Sequence, residues 1–256
     1  MAPVLRALAQ EPQAIVVSCC TGQHDELLPP ILSLFGIRPD YHLRVMSANQ
    51  QLSALTSVLL TEFEKVLTSE KPDRVLVQGD TTTAMAASLA ACYLKIPVSH
   101  IEAGLRSHNP LEPFPEEINR KLIDDIADTF FAPTRVEMND LLREGKAPER
   151  IFVTGNTSID ALRLVSEMPF LIRDTALENL PFGQKKILLA TVHRRENHGL
   201  PLRKICIAIR LIAHHYRHKV HIVIPVHPNP MSGPVCTLCS EAYRTSALLL
   251  HWGTRN

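Results

Sequence analysis

Residues 74–103 read RVLVQGDTTTAMAASLAACYLKIPVSHIEA, and their order sets the fold. RVLVQGD (74–80) is a short apolar, β-branched run that ends on a Gly-Asp turn. TTAMAASLAACYL (82–94) has helical composition, and PVSHIEA (97–103) is a second apolar run. Parallel strands need a crossover connection, so strand, helix and strand in this order predict a parallel pair bridged by a helix. Ala84, Ala86, Ala87, Ala90 and Ala91 keep that helix slim enough to lie close on the sheet.

The same alternation extends in both directions. Further strands are expected at QAIVVSCC (13–20), TFFAP (129–133), RIFVTG (150–155), KILLATVH (186–193) and HIVIPVH (221–227). Helices are expected over LSALTSVLLTEFEKVL (52–67), NRKLIDDIA, VEMNDLLREG and Leu202 to Tyr216. Nearly continuous apolar strands between helices predict an α/β fold whose parallel sheet is covered on both faces. Prolines and charges gather in MPFLIRDTALENLPFGQKK (168–186), which places a domain boundary there. The expected domains are 1–168, with five strands, and 169–256, with two; two strands cannot bury both faces of a sheet alone. The tail from Met231 shows no period.

Composition narrows the partners. The 256 residues carry 27 basic and 26 acidic side chains, a net charge of +1. That balance gives no general attraction to nucleic acid or to an anionic membrane. An anionic ligand would need locally placed groups, and twelve histidines offer some that titrate near neutral pH. No stretch approaches the ~20 apolar residues of a membrane span. MAPVLRALAQEPQ has one Arg and no long apolar region, so it reads as a poor signal peptide. The six cysteines stand mostly in apolar contexts and are expected to be reduced core residues of a cytoplasmic protein. Cys236 and Cys239 form one Cys-x-x-Cys pair near His227, too few ligands to predict a zinc site.

Ligands of open parallel sheets gather outside the carboxyl ends of the strands. Here those ends read QGDTTT, HIEAGLR, TGNTSID, TVHRREN and PVHPNP, all polar. Asp80 precedes a helix start capped by Thr81, Thr82 or Thr83; that end either binds an anion or is filled by Asp80 itself. Asn156 and Thr157 repeat the pattern, as a turn for phosphate or a uracil edge or as ordinary cap chemistry. FPEEINRKL looks like a helix start with Pro115 at its first position and Glu116 and Glu117 in its first turn. Glu116 with Arg120 and Glu117 with Lys121 stand at i,i+4, a spacing worth about 0.3 kcal/mol per pair. Helix chemistry leaves unexplained why this helix follows a loop holding Glu102, Arg106 and His108. His193, Arg194, Arg195 and Glu196 follow another strand, and tandem arginines suit diphosphate oxygens. His227 ends the next strand.

Together TGQHDELL, VLVQGDTTT, HIEAGLR, FPEEINR, IFVTGNTSIDAL, TVHRREN and PVHPNP resemble the non-hydrolysing UDP-N-acetylglucosamine (UDP-GlcNAc) 2-epimerases of bacteria, in unbroken order over about residues 2–230. The resemblance implies two Rossmann-like domains, as in the B-type glycosyltransferases, with a nucleotide sugar between them. It implies interconversion of UDP-GlcNAc and UDP-ManNAc, which feeds surface polysaccharides. In that reaction the C2 proton leaves, UDP is expelled to give 2-acetamidoglucal, and both return on the other face. By motif match the catalytic residues are Asp80, Glu102, Glu116 and His193, with His193 at the diphosphate. Candidate substrate-binding residues are Arg120, Asn156, Arg194 and Arg195. Members also bind a second UDP-GlcNAc as an activator, for which Gln23, His24, Arg194 and His227 are candidates. The resemblance implies no metal, no nicotinamide and no other cofactor, a cytoplasmic location and a homodimer. The family opens with a strand and a Gly-Thr-Arg-Pro-Glu loop and continues past PVHPNP to an Asp-Ser-Gly-Gly turn. This chain is therefore expected to be truncated at both ends, with its first strand missing and its second domain incomplete. Two alternatives stand beside the epimerase: a catalytically inactive remnant or nucleotide-sugar-binding partner of a full-length subunit, and a hydrolysing epimerase releasing ManNAc and UDP.

Overall fold

A computed structural model describes residues 1–22, 28–47, 50–169, 177–178, 180–192 and 199–226, and the backbone of a strand at 247–251. Gln23, His24, His193, Arg194, Arg195 and His227 lie outside the described residues. The chain divides into two compact units, Met1–Met168 and Pro169–Asn256.

The first unit runs α1 (Ala2–Leu8), β1 (Cys19–Cys20), α2 (Leu28–Leu34), β2 (Tyr41–His42), α3 (Leu52–Glu70), β3 (Val75–Gln78) and α4 (Thr82–Tyr93). It continues with β4 (Val98–Ile101), α5 (Glu116–Ile126), β5 (Thr129–Ala132), α6 (Arg135–Arg143), β6 (Ile151–Val153) and α7 (Thr157–Glu167). Its main sheet has the order β3-β4-β5-β6, every pair parallel. The opening stretch therefore folds as read, with Val75 opposite Val98 and Gln78 opposite Ile101. All four residues of β4 are buried, including the polar Ser99 and His100, whose side chains therefore need hydrogen-bond partners inside the protein.

Helix α3 buries Leu55, Leu59, Phe63 and Leu67, one residue every four, along a single stripe. That stripe packs against α4, which in turn packs on α5. Covered on two sides and by the sheet, α4 has almost no polar face: Thr82, Ala84, Ala86, Ala87, Ser88, Ala90 and Ala91 are all buried. Mid-helix, Ser88 Oγ donates to Ala84 O at 2.9 Å. Val77, Val98, Ile123, Phe130 and Leu141 complete the core between sheet and helices.

QAIVVSCC departs from expectation. Only Cys19–Cys20 is strand, paired in parallel with Tyr41–His42 in a separate two-stranded sheet. Ile15 is 97% exposed, so the apolar run extends past the two residues that have a partner strand. Two free cysteines depart as well: Cys20 and Cys206 are buried, but Cys19 and Cys92 are exposed.

The second unit contains β7 (Lys186–Leu189), α8 (Leu200–His215), β8 (Val220–Val226) and β9 (Ala247–His251) in a parallel sheet of order β7-β8-β9. The third strand was not anticipated, and it lies in the tail that showed no period. Ile222 and Ile224 of β8 pack against Ile209 and Ala213 of α8, with Ala190 and Val192 at the margin. Among the described residues no helix is long and apolar enough to cross a membrane.

Candidate active site

The site is built at the carboxyl ends of β3 and β4. After Gln78 the chain turns through Gly79 at φ +72°, a conformation that glycine adopts without steric cost. That turn delivers Asp80 just before α4. Thr81 caps the helix, its side chain accepting from Ala84 N at 3.2 Å. The Asp80 carboxylate is thereby left free of capping, and it pairs with Arg120 of α5. The expected alternative, Asp80 filling the helix end, is not what forms.

Glu102 directly follows β4 and takes a left-handed backbone conformation, φ +69°. A non-glycine residue there costs on the order of 1–3 kcal/mol, and such residues concentrate at functional sites. Its backbone N–H and that of Ala103 both donate to Phe131 O of β5, at 3.1 and 3.2 Å, which holds the turn in place. The carboxylate leans toward the end of β3. Gln78 Nε2 donates to Glu102 Oε1 at 3.2 Å and to Thr157 Oγ1 of α7 at 3.0 Å. A Cβ placed on Gly79 would stand 3.5 Å from Glu102 Oε2. Asp80 and Glu102 therefore emerge side by side from adjacent strands.

Helix α5 supplies the rest. Pro115 is its N-cap, not its first helical residue, and Glu116 and Glu117 form the first turn. The neighbouring acids have opposite environments. Glu116 is half-buried, and among the described residues its carboxylate has no hydrogen bond or ion pair. Glu117 is fully buried and accepts from the backbone N–H groups of Ser107 at 2.9 Å and His108 at 3.1 Å. Burial alone would raise the Glu117 pKa, but these donors and Arg120 outweigh it and hold the group below its ordinary value. The expected Glu116–Arg120 pair gives way to tertiary contacts: Arg120 turns to Asp80 and stands 3.5 Å from Glu117. Asn119 Nδ2 donates to Asp80 O at 2.9 Å, a second tie between α5 and the β3 turn.

Beneath this surface lies a buried polar cluster that sequence reading missed. His100 Nδ1 is 2.6 Å from Asp124 Oδ1, and His100 Nε2 is 2.8 Å from Gly79 O. Asp124 Oδ2 accepts from Gly104 N at 3.1 Å and Arg106 NH2 at 2.7 Å. Arg106 also donates to Glu144 at 2.8 and 2.5 Å. Burial pushes the Asp124 carboxyl up, but His100 and Arg106 together hold it below the usual range. A signal for these residues did exist. Glu117 and Asp124 are two turns apart on the same side of α5 as buried Ile123, positions an amphipathic helix gives to apolar residues.

Asn156 was expected to bind substrate. Its Oδ1 accepts from Ser158 N at 2.9 Å and from Ser158 Oγ at 2.6 Å, so it serves as the α7 cap. Asp80, Glu102 and Arg120 thus come together, with Glu116 one helical turn from Arg120. Among the described residues no group of three or more His, Cys, Asp or Glu is arranged to hold a metal ion.

Residues 6–251 match the family model described as UDP-N-acetylglucosamine 2-epimerase. The chain belongs to that family. It is 45% identical over 235 residues to the UDP-N-acetylglucosamine 2-epimerase of Escherichia coli K12, covering 90% of this chain and 62% of the relative. To a putative epimerase of Clostridium acetobutylicum it is 44% identical over 231 residues, covering 90% of this chain and 60% of the relative. The chain thus spans about 60% of the length of the curated relatives it matches. Among solved structures, the Neisseria meningitidis UDP-GlcNAc 2-epimerase bound to UDP-GlcNAc superposes with TM-score 0.89 at 42% identity, covering 98% of this chain and 68% of that one. The Methanocaldococcus jannaschii epimerase in complex with UDP-GlcNAc and UDP gives TM-score 0.76 at 32% identity, covering 98% and 69%.

Proposed function

We propose that this chain carries the proton-transfer groups of a non-hydrolysing UDP-GlcNAc 2-epimerase, interconverting UDP-GlcNAc and UDP-ManNAc. The supporting observation is the meeting of Asp80 and Glu102 at adjacent strand ends with Arg120 of α5, the helix that also carries Glu116, whose carboxylate has no partner among the described residues. The C2 proton of the sugar is a weak acid, so a positioned base must remove it, and an acid on the other face must return it. Two carboxylates on separate elements, Glu102 after β4 and Glu116 on α5, can face one ring from different directions. Asp80, fixed by Arg120 and Asn119, completes the acidic set. UDP departs with its negative charge, for which His193, Arg194 and Arg195 have suitable chemistry. Elimination gives 2-acetamidoglucal and UDP, and re-addition after reprotonation gives the epimer. The cytoplasmic location and the homodimer belong to the same proposal and rest on family membership.

The test is to incubate the chain with UDP-GlcNAc in D2O and follow C2 by proton NMR. Deuterium at C2 together with UDP-ManNAc is the expected result. Free ManNAc and UDP would instead favour the hydrolysing type. Binding without exchange would leave a nucleotide-sugar-binding partner as the better reading.

A further inference from the structure

The buried histidine beneath the carboxylates has an oxygen partner at each ring nitrogen. His100 is fully buried, and both of its ring nitrogens face oxygen acceptors, Asp124 Oδ1 at 2.6 Å and Gly79 O at 2.8 Å. A neutral imidazole has one N–H and one lone pair. Either neutral tautomer would therefore set a nitrogen lone pair against an oxygen lone pair at hydrogen-bond distance. The doubly protonated ring donates to both. Protonating Asp124 instead would relieve one contact, but its other oxygen already accepts from Arg106 NH2 and Gly104 N, and these donors favour the carboxylate. The groups facing the ring and its partner are Asp124 of α5, Arg106 of the loop after β4 and Glu144 at the end of α6. With an imidazolium the four side chains sum to zero charge. With a neutral ring they carry an uncompensated negative charge, which is costly in a buried cluster.

We propose that His100, held as a doubly protonated imidazolium, is the positioning residue that fixes the carboxylate-bearing strand ends of the site relative to one another. The inference rests on the epimerase reading above and names a part for a residue that touches no reacting atom. Gly79, which precedes Asp80, donates its N–H to Ile101 O at 3.0 Å and gives its carbonyl to His100. Both polar groups of that residue are thus tied to β4. Asp124 accepts from Gly104 N, two residues beyond Glu102, and it belongs to the helix that carries Glu116 and Arg120. One imidazolium–carboxylate contact therefore joins the end of β3, the end of β4 and α5, the three elements that bear Asp80, Glu102 and Glu116. A misplacement of about 1 Å at such a site costs on the order of 100-fold in rate.

Two readouts test this on the 256-residue chain. The first is the 15N spectrum of histidine-labelled protein at pH 7.5, with the His100 signals assigned by their loss in His100→Gln. Both ring nitrogens are expected to carry a proton donated to Asp124 and Gly79; a bare ring nitrogen overturns the proposal. This measurement needs no activity. The second is C2 exchange in D2O by His100→Gln, whose amide can donate to Gly79 O but carries no charge. The expected result is kcat lower by about 100-fold with KM within about twofold and the folded amide spectrum retained. Wild-type kcat in that variant overturns the proposal. A wild-type chain that leaves the C2 proton in place overturns the epimerase reading alone, and the ring nitrogens then decide the state of His100.

Discussion

Glu102 combines two features rarely found in one non-glycine residue, a left-handed backbone and a carboxylate steered by a neighbouring side chain. The backbone is pinned by Phe131 O and the carboxylate by Gln78 Nε2. Glu102→Gln separates geometry from proton chemistry, because the new amide oxygen can still accept from Gln78. The substitution is expected to slow C2 exchange by about 10²- to 10⁴-fold, the range typical of a general acid or base. Its unfolding free energy should stay within about 0.5 kcal/mol of wild type. Steady-state kinetics of exchange beside thermal unfolding check both halves; exchange at the wild-type rate would remove Glu102 from the mechanism. Glu117, next to Glu116 in sequence, illustrates the opposite use of the same side chain. Its oxygens accept from Ser107 N and His108 N inside the protein, so it shapes the 105–109 loop. Doubling of the acid in FPEEINR thus marks a division of labour that the letters alone do not assign.

At the scale of elements, the close approach of the HIEAGLR turn to α6 makes the strongest demand on residue type. Gly104 has φ +83°, and a Cβ built there would lie 2.3 Å from Glu137 O and 2.9 Å from Leu141 Cγ. Neither the backbone of α6 nor its buried Leu141 can yield cheaply. Gly104→Ala combines overpacking with an unfavourable backbone conformation, so a loss of about 3 kcal/mol or more is expected. Chemical denaturation should show it as a lower midpoint at unchanged slope, and an equally stable variant would mean that α6 is free to shift. Strands β3, β5 and β6 were legible because each is a short, mostly apolar run with a partner along its length, and β4 because it follows the crossover helix. The run at 13–20 was overread because apolar letters do not reveal where pairing stops, and here only two residues find a partner. β9 was unread because its short run, ALLLH, stands in a tail of mixed composition with no helical pattern beside it to mark it as the next strand. Helix α5 shows the limit most clearly. Spacing alone predicted Glu116 with Arg120, a pair worth only about 0.3 kcal/mol, and a tertiary partner of higher value, Asp80, took the arginine. The acids at strand ends were readable as candidates; the burial that separates Glu117 and Asp124 from Glu116 depends on packing of α5 against α4.

On the scale of the whole molecule the two units should respond to acid in a fixed order. In the first unit Glu117, Asp124 and Asp128 all have pKa values below those of the free side chains. Burial opposes each shift, and hydrogen bonds or charges from Ser107, His100 and Arg74 respectively outweigh it. A depressed carboxylate adds stability above its unfolded pKa, near 4.5 for Glu and 3.8 for Asp, and loses it as pH falls through the folded value. The second unit differs. His221 of β8 has its pKa lowered from 6.5, first by burial and then by Lys185, and its Nε2 is buried without a partner among the described residues. Here too the unfolded chain binds more protons, so stability falls as pH drops, but the loss starts near 6.5 instead of near 4.5. The second unit is therefore expected to weaken first on acidification from pH 7.5, while the first holds until pH falls below about 4.5. Amide spectra recorded at pH 7.5, 5.5 and 4, with β8 and β3 to β4 as reporters, resolve the two. Loss of the β3 and β4 signals before those of β8 would show that the carboxylates of the first unit are not stabilised by the contacts described. The order also carries a functional consequence. Between about pH 6.5 and 4.5 the carboxylate site stays folded while the His221 unit weakens, so any activity that needs both units should decline before Asp80, Glu102 and Glu116 lose their scaffold.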